Sequence, residues 1–178
     1  MKKYLKLILE LVLIFIITFV TFHYVLLPVT ISGDSMYPTL KDNEISLMDA
    51  WHKNKDDIKR FDIVVIYSDY LDKLIIKRVI GLPGEKIVYK DDKLYINDQY
   101  YKEEFLNEKY INEIKKEKGL TNFTDDFEIE LDDDELFVLG DNRVVSLDSR
   151  ALGPILYDDI KARNGIVFYP FNEMKWMD

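Results

Sequence analysis

LILELVLIFIITFVTFHYVLL, Leu7–Leu27, is the stretch that divides the chain. Its 21 residues contain one charge, Glu10. As a helix it spans about 31 Å, close to the roughly 30 Å of a bilayer's hydrocarbon core. It is apolar all round, so packing it inside a water-soluble domain would leave it no polar face. Lys2, Lys3 and Lys6 precede it, and no Lys or Arg follows until Lys41. The positive-inside rule then places the N-terminus in the cytoplasm and everything from Pro28 onward outside. The run is longer than the roughly 7–15 apolar residues of a cleavable leader, and no A-x-A-like site follows it. It reads as a retained, single-pass anchor in the cell membrane. The expected organisation is a cytoplasmic N-terminus at 1–6, a transmembrane anchor at 7–27 and an extracytoplasmic domain at 28–178.

Composition narrows the chemistry of that domain. The 178 residues carry a net charge of −9, and residues 28–178 alone hold 21 basic against 32 acidic side chains. A surface this acidic is a poor partner for nucleic acid. The absence of cysteine removes disulfides, thiol nucleophiles and Cys-ligated metals, and two histidines are too few for a His-rich metal site. The acidic cluster Asp132–Glu135 reads as a solvated turn, since its spacing does not match a calcium-binding EF-hand loop.

Residues 28–178 are expected to be mainly β. Seven short segments rich in β-branched and aromatic residues read as strands: Ile63–Tyr67, Leu74–Ile80, Lys86–Lys90, Lys93–Asn97, Phe127–Leu131, Leu136–Gly140 and Gly165–Tyr169. Asp91-Asp92 and Asn97-Asp98 mark tight turns. Glu103–Lys118 is polar and reads as a short helix or a loop before Gly119. The fold class is therefore an N-terminal transmembrane helix followed by an all-β domain, with a small β-ribbon excursion at about 91–130.

Three stretches concentrate chemistry. In ISGDSMYPTL (Ile31–Leu40), Ser35 lies between Gly33 and Pro38, in a turn able to present a hydroxyl beside backbone N–H groups. Taken alone, it reads more readily as a serine in an ordinary turn. In LIIKRVIGLPGE (Leu74–Glu85), Lys77 and Arg78 interrupt an apolar strand, and alternation turns them to opposite faces. One of the two is expected to enter the interior. A buried lysine sheds its proton and becomes a competent base, whereas on an edge strand Lys77 would simply reach water. GDNRVVSLDSRALGP (Gly140–Pro154) gathers charges and hydroxyls in one loop, which taken alone is also compatible with surface ion pairs. The histidines have no triad surroundings: His52 sits in a polar segment and His23 within the apolar run.

In this order the three stretches, with the anchor before them and RFDIVVI and LYIN between, resemble the bacterial type I signal peptidases, membrane-bound serine–lysine proteases. The resemblance implies Ser35 as nucleophile, Lys77 as general base and Ser146 as the hydroxyl that orients the lysine amine. It implies that Arg78 with Asp141, and Asp148 with Arg150, support the site. Ile31, Ser32, Gly33, Met36, Leu40 and Ile76 match positions of the substrate-binding pockets. Some members carry a serine where this chain has Gly33, so the oxyanion site is expected to rest on backbone N–H, chiefly that of Ser35. The implied activity is endoproteolytic removal of signal peptides after small residues at −1 and −3, through an acyl-enzyme, with no cofactor and no metal. The implied partners are preprotein signal peptides and the lipid bilayer.

The competing readings are a non-catalytic or specialised homologue serving the assembly of a few secreted proteins, and a self-cleaving serine–lysine regulator. The membrane anchor argues against the second. Trp51, Phe168, Tyr169, Phe171, Trp176 and Met177 are candidates for a membrane-contacting surface, with Phe168 and Tyr169 expected in the core.

Overall fold

The computed structural model describes residues 2–177. Helix α1 (Lys2–Val20) gives way to one π-helical turn (Thr21–Val25), in which His23 falls, and then to strand β1 (Leu26–Thr30). The apolar run is thus shared among three conformations. No described helix is long and apolar enough to cross a membrane. The α-helix takes in Lys2, Lys3, Lys6 and Glu10 at one end and stops at Val20, short of Leu27. Its apolar side chains are nonetheless exposed, among them Leu9 at 60% and Phe15 at 69%.

The remaining strands are β2 (Ile45–Asp49), β3 (Ile63–Ser68), β4 (Lys73–Gly81), β5 (Lys86–Lys90), β6 (Lys93–Ile96), β7 (Gln99–Tyr101), β8 (Phe127–Glu130), β9 (Glu135–Leu139), β10 (Ile155–Leu156), β11 (Ile160–Tyr169) and β12 (Lys175–Met177). Helices α2 (Glu108–Lys118) and α3 (Ser149–Leu152) complete the set, with single 3-10 turns at Tyr157–Asp159 and Phe171–Glu173. The main sheet runs β1-β2-β11-β3-β4-β9-β10, with β12 added on β11, and its recorded pairings are antiparallel. Pro28 is tolerated in β1 because that strand is an edge, where a missing donor breaks no ladder. The second sheet is β7-β6-β5-β8. The excursion is therefore a four-stranded sheet with a helix, larger than a ribbon, and it begins at Lys86 rather than near 91.

The central strands are apolar on both faces because both are covered. In β3, Ile63 and Val65 join a cluster with Ile31, Met36, Leu40 and Met48, while Val64 and Ile66 join another with Val79, Leu136 and Val138. A third cluster, including Ile80, Ile87 and Phe137, joins the two sheets. The hairpin turns are as the sequence suggests: Asp91-Asp92 (φ 51° and 59°) and Asn97-Asp98 (φ 49° and 65°) take the paired left-handed angles of type I′ turns. Helix α2 starts at Glu108, five residues later than the polar segment that predicted it. Asn107 caps it, accepting from the Tyr110 N–H at 3.0 Å, and Gly119 (φ 65°) ends it. Asp132–Glu135 forms the turn between β8 and β9.

Tyr169 is 47% exposed, against expectation, because a register shift after Val167 turns it away from the buried face. Phe168 is half-buried and Met177 is core, whereas Trp51, Phe171 and Trp176 are exposed.

Candidate active site

Strand β4 positions the central group. Both of its interrupting cations are buried, not one: Lys77 is 3% exposed and Arg78 1%. Alternation sends them to opposite faces, and each finds its own partner. Lys77 Nζ lies 2.9 Å from Ser35 Oγ and donates to the Ile76 carbonyl at 3.0 Å. Burial lowers the Lys77 pKa from 10.5 to about 8, assisted by Lys73 and opposed by Asp148 and Asp141. The amine is thus poised where a proton acceptor is useful near neutrality.

The Ser35 turn follows β1. Gly33 adopts φ +82°, which few other residues tolerate, and its N–H donates to Asp42 Oδ1 at 2.7 Å. That donor is therefore committed. Tyr37 N–H closes the turn on the Asp34 carbonyl at 3.1 Å. From the Gly140 loop, Asn142 donates its backbone N–H to the Ser35 carbonyl (3.0 Å) and its side-chain Nδ2 to the Asp34 carbonyl (3.1 Å). The Ser35 turn is clamped from one side while its hydroxyl faces Lys77.

Behind these groups lies a charged scaffold. Arg78 forms a bidentate pair with Asp141 (Nε–Oδ1 2.8 Å, Nη2–Oδ2 2.7 Å), donates to the Phe61 carbonyl and stacks over the Phe105 ring. Thr39 adds a hydroxyl donor to Asp141 Oδ2 at 2.5 Å. Asp148 binds Arg150 through both oxygens, accepts from the Gly140 N–H at 3.1 Å and caps α3. Arg143, fully buried, donates to Glu103, Tyr89 and Thr124 of the second-sheet region and to the Gly140 carbonyl.

Ser35 and Lys77 open into a cleft of about 930 Å³ between the β1 side and the first half of β4. This constellation sits in a chain that matches the family described as "Signal peptidase, peptidase S26" over residues 2–169. The chain belongs to the bacterial type I signal peptidase family. Its relatives include signal peptidase I U of Bacillus subtilis strain 168, 47% identical over 149 residues, with 83% of this chain and 78% of that protein covered. Signal peptidase IB of Staphylococcus aureus strain MRSA252 is 35% identical over 182 residues, covering 98% and 94%. The crystal structure of a signal peptidase I from Enterococcus faecalis V583 is similar with a TM-score of 0.50 and 34% identity, over 59% of this chain and 94% of that one. The chain is a hydrolase with signal peptidase I activity.

The family-matched positions are distributed as follows. Ile31, Ser32, Gly33, Met36 and Ile76 line the cleft. Leu40 does not; it is wholly buried in the cluster beneath Met36. Ser146 Oγ is buried without a hydrogen-bond partner among the described residues, and the second bond of the Lys77 amine goes to the Ile76 carbonyl instead. His52 is exposed and pairs with Asp49 at 2.8 Å, away from the cleft lining.

Sequence reasoning singled out the Gly140 loop with Asn142 and Arg143 but gave those residues no role, and it gave none to Thr39. A Cβ at Gly140 would come within 2.2 Å of Ser146 Oγ and 2.4 Å of the Ser35 carbonyl. Nothing in a strand-end glycine followed by Asp announces this; only the approach of the Ser35 turn makes it obligatory. It passed over the α2 face as well, where Tyr110, Ile114 and Lys118 line the same cleft.

Proposed function

We propose that this chain is a membrane-anchored serine endopeptidase that removes signal peptides from exported preproteins, with Ser35 as nucleophile and neutral Lys77 as general base. The observation that carries the reading is the 2.9 Å approach of Lys77 Nζ to Ser35 Oγ inside a cleft, with burial holding the lysine near pKa 8. A peptide laid between the free edge of β1 and the Lys73–Lys77 half of β4, which β9 leaves unpaired, would add backbone hydrogen bonds. Its small side chains at −3 and −1 would fill shallow depressions formed by Ile31, Ser32, Met36 and Ile76, and larger ones would clash.

Ser35 Oγ attacks the scissile carbonyl carbon as its proton passes to Lys77 Nζ. The oxyanion is held by backbone donors, foremost the Ser35 N–H, which has no acceptor among the described residues. The C–N bond breaks, and Lys77 returns the proton to the leaving amine. A water then gives its proton to Lys77 as it attacks the acyl-enzyme, and Ser35 leaves with the proton back on Oγ. Asp141 with Arg78, and Asp148 with Arg150, keep the loop that holds this geometry in place, and Ser146 borders it.

The apolar stretch from Leu7 through the π-helical turn to Val25 would lie in the bilayer, with Lys2, Lys3 and Lys6 on the cytoplasmic side and residues 28–178 outside. The exposed apolar surface of α1 supports this, as does the lysine-rich start. Ser35 follows ten residues after Val25, near the outer face where a signal peptide's cleavage site emerges.

The test is cleavage of a preprotein by the purified full chain in detergent, with N-terminal sequencing of the product. Release of a mature chain after a small residue, lost in Ser35→Ala and in Lys77→Ala, is expected. Undiminished cleavage by either variant, or none by the wild type, refutes the proposal.

A further inference from the structure

We propose that helix α2 is a specificity wall for the first residues of the mature chain, favouring an acidic side chain there through Lys118. The inference rests on the signal-peptide reading above, which sets the direction in which substrate crosses the cleft.

Tyr110, Ile114 and Lys118 are spaced at i, i+4 and i+8, so they share one face of α2, and all three line the cleft that holds Ser35 and Lys77. The Tyr110 end of the helix is fixed relative to the nucleophile. Its ring meets Tyr37, two residues beyond Ser35, with centroids 5.2 Å apart. Asn142, the residue whose amide holds the Ser35 carbonyl, lines the same cleft. Pro28 to Gly33 and Lys73 to Ile76 form the strand side of the same cleft, and α1 leads through the π-helical turn into β1. A peptide arriving from the membrane occupies that side up to the scissile bond. Once past Ser35 it runs against α2.

The wall has two chemistries. Tyr110 and Ile114 are half-buried and apolar toward the cleft. Lys118 is exposed and cationic, and Glu117, although it acts on Tyr110 electrostatically, does not line the cleft. From Tyr110 to Lys118 the helix advances about 12 Å, or about four residues of extended peptide. An acidic side chain within the first few mature residues can therefore meet Lys118, and a basic one is repelled.

The experiment uses the full chain in detergent and a preprotein carrying Asp or Lys in turn at each of the first five mature positions, with an all-Ala mature segment as reference. The wild type is expected to cleave the Asp substrates with kcat/KM about three- to fivefold above the Lys substrates at one or two positions, the range of a partly solvated ion pair. Lys118→Glu should reverse the preference and Lys118→Ala abolish it, while Ile114→Ala should lower kcat/KM for apolar residues at the first two mature positions. The −1 and −3 preferences should stay unchanged, and cleavage of the all-Ala substrate reports that each variant is folded. A wild type without the charge preference, a preference indifferent to residue 118, or an effect confined to positions before the cut overturns the proposal while leaving the peptidase reading standing. Failure to cleave any preprotein overturns both.

Discussion

The basicity of Lys77 is the quantity on which the proposed chemistry turns, and it can be measured as a pH limb. Burial takes its pKa from 10.5 to about 8. At about 1.4 kcal/mol per unit, this is roughly 3 kcal/mol of desolvation held against the charged form. At pH 7 about one amine in ten is then neutral, against about one in three thousand for an ordinary lysine, a gain of roughly 300-fold in active base. A profile of kcat/KM, which reports the free enzyme, should rise about tenfold per pH unit below 8 and level off above it. Lys73 and Asp148 push in opposite directions. Lys73→Met removes a neighbouring cation at an exposed position, so the limb should move to higher pH. Asp148→Asn removes an anion, so it should move to lower pH in whatever fraction stays folded.

The same group makes stability depend on pH. The unfolded chain keeps the Lys77 proton up to about 10.5 and the folded chain only up to about 8. Between those values unfolding takes up a proton, so raising the pH favours the folded state. This contribution, roughly 3 kcal/mol in all, is complete above the unfolded value and lost as pH falls through the folded one. Lys77→Met should flatten the rise in denaturant midpoint over that window. An activity limb near 10, or a limb that moves down in Lys73→Met, refutes the reasoning.

Three further outcomes follow from the scaffold. Asp141→Ala strands the Arg78 guanidinium, 1% exposed, without its anion, and should destabilise the fold by about 3–5 kcal/mol, read as a fall in thermal or urea midpoint. Gly140→Ala forces a methyl group into the Ser35 carbonyl and the Ser146 hydroxyl; displacing the Ser35 hydroxyl by even an ångström should lower kcat by about a hundredfold, with the far-ultraviolet spectrum unchanged. Glu103→Gln weakens the buried bond to Arg143, which ties the Gly140 loop to the second-sheet region, and should lower the urea midpoint more than Lys102→Gln, whose ion pair with Glu104 is exposed.

Legibility in the sequence followed how local each determinant is. The Asp91-Asp92 and Asn97-Asp98 turns were readable because adjacent residues with left-handed angles are a two-residue signal. The strand carrying Lys77 and Arg78 was readable because cations in an apolar run have few resting places. Strand β1 was masked because its first two residues, Leu26 and Leu27, read as the end of the apolar run, while in the fold they begin an edge strand paired to β2. Leu40 and Tyr169 were misplaced for a different reason: a turn and a register shift decide which way they face, and neither is written in their own side chains. The α2 face and Gly140 depend on segments distant in sequence meeting the Ser35 turn, so no local pattern could reveal them.

The coincidence of two buried cations on adjacent residues of β4 has a physical logic. A strand covered on one face could hide Lys77 only by leaving Arg78 in water. Here both faces are covered, and the two side chains meet that environment differently. Arginine stays charged in proteins, so Arg78 requires the full bidentate carboxylate of Asp141 and a carbonyl besides. Lysine can relieve its burial by giving up a proton, and its amine is met by a hydroxyl and a carbonyl with no carboxylate in hydrogen-bond contact. Placing Asp141 on the Arg78 face thus does two things at once. It satisfies the cation that cannot neutralise, and it keeps that carboxylate out of direct contact with the one that can. Exchanging the pair, Lys77→Arg with Arg78→Lys, should therefore preserve charge and roughly preserve volume. It would nevertheless put a permanent cation against Ser35, and cleavage should vanish even in molecules that still fold.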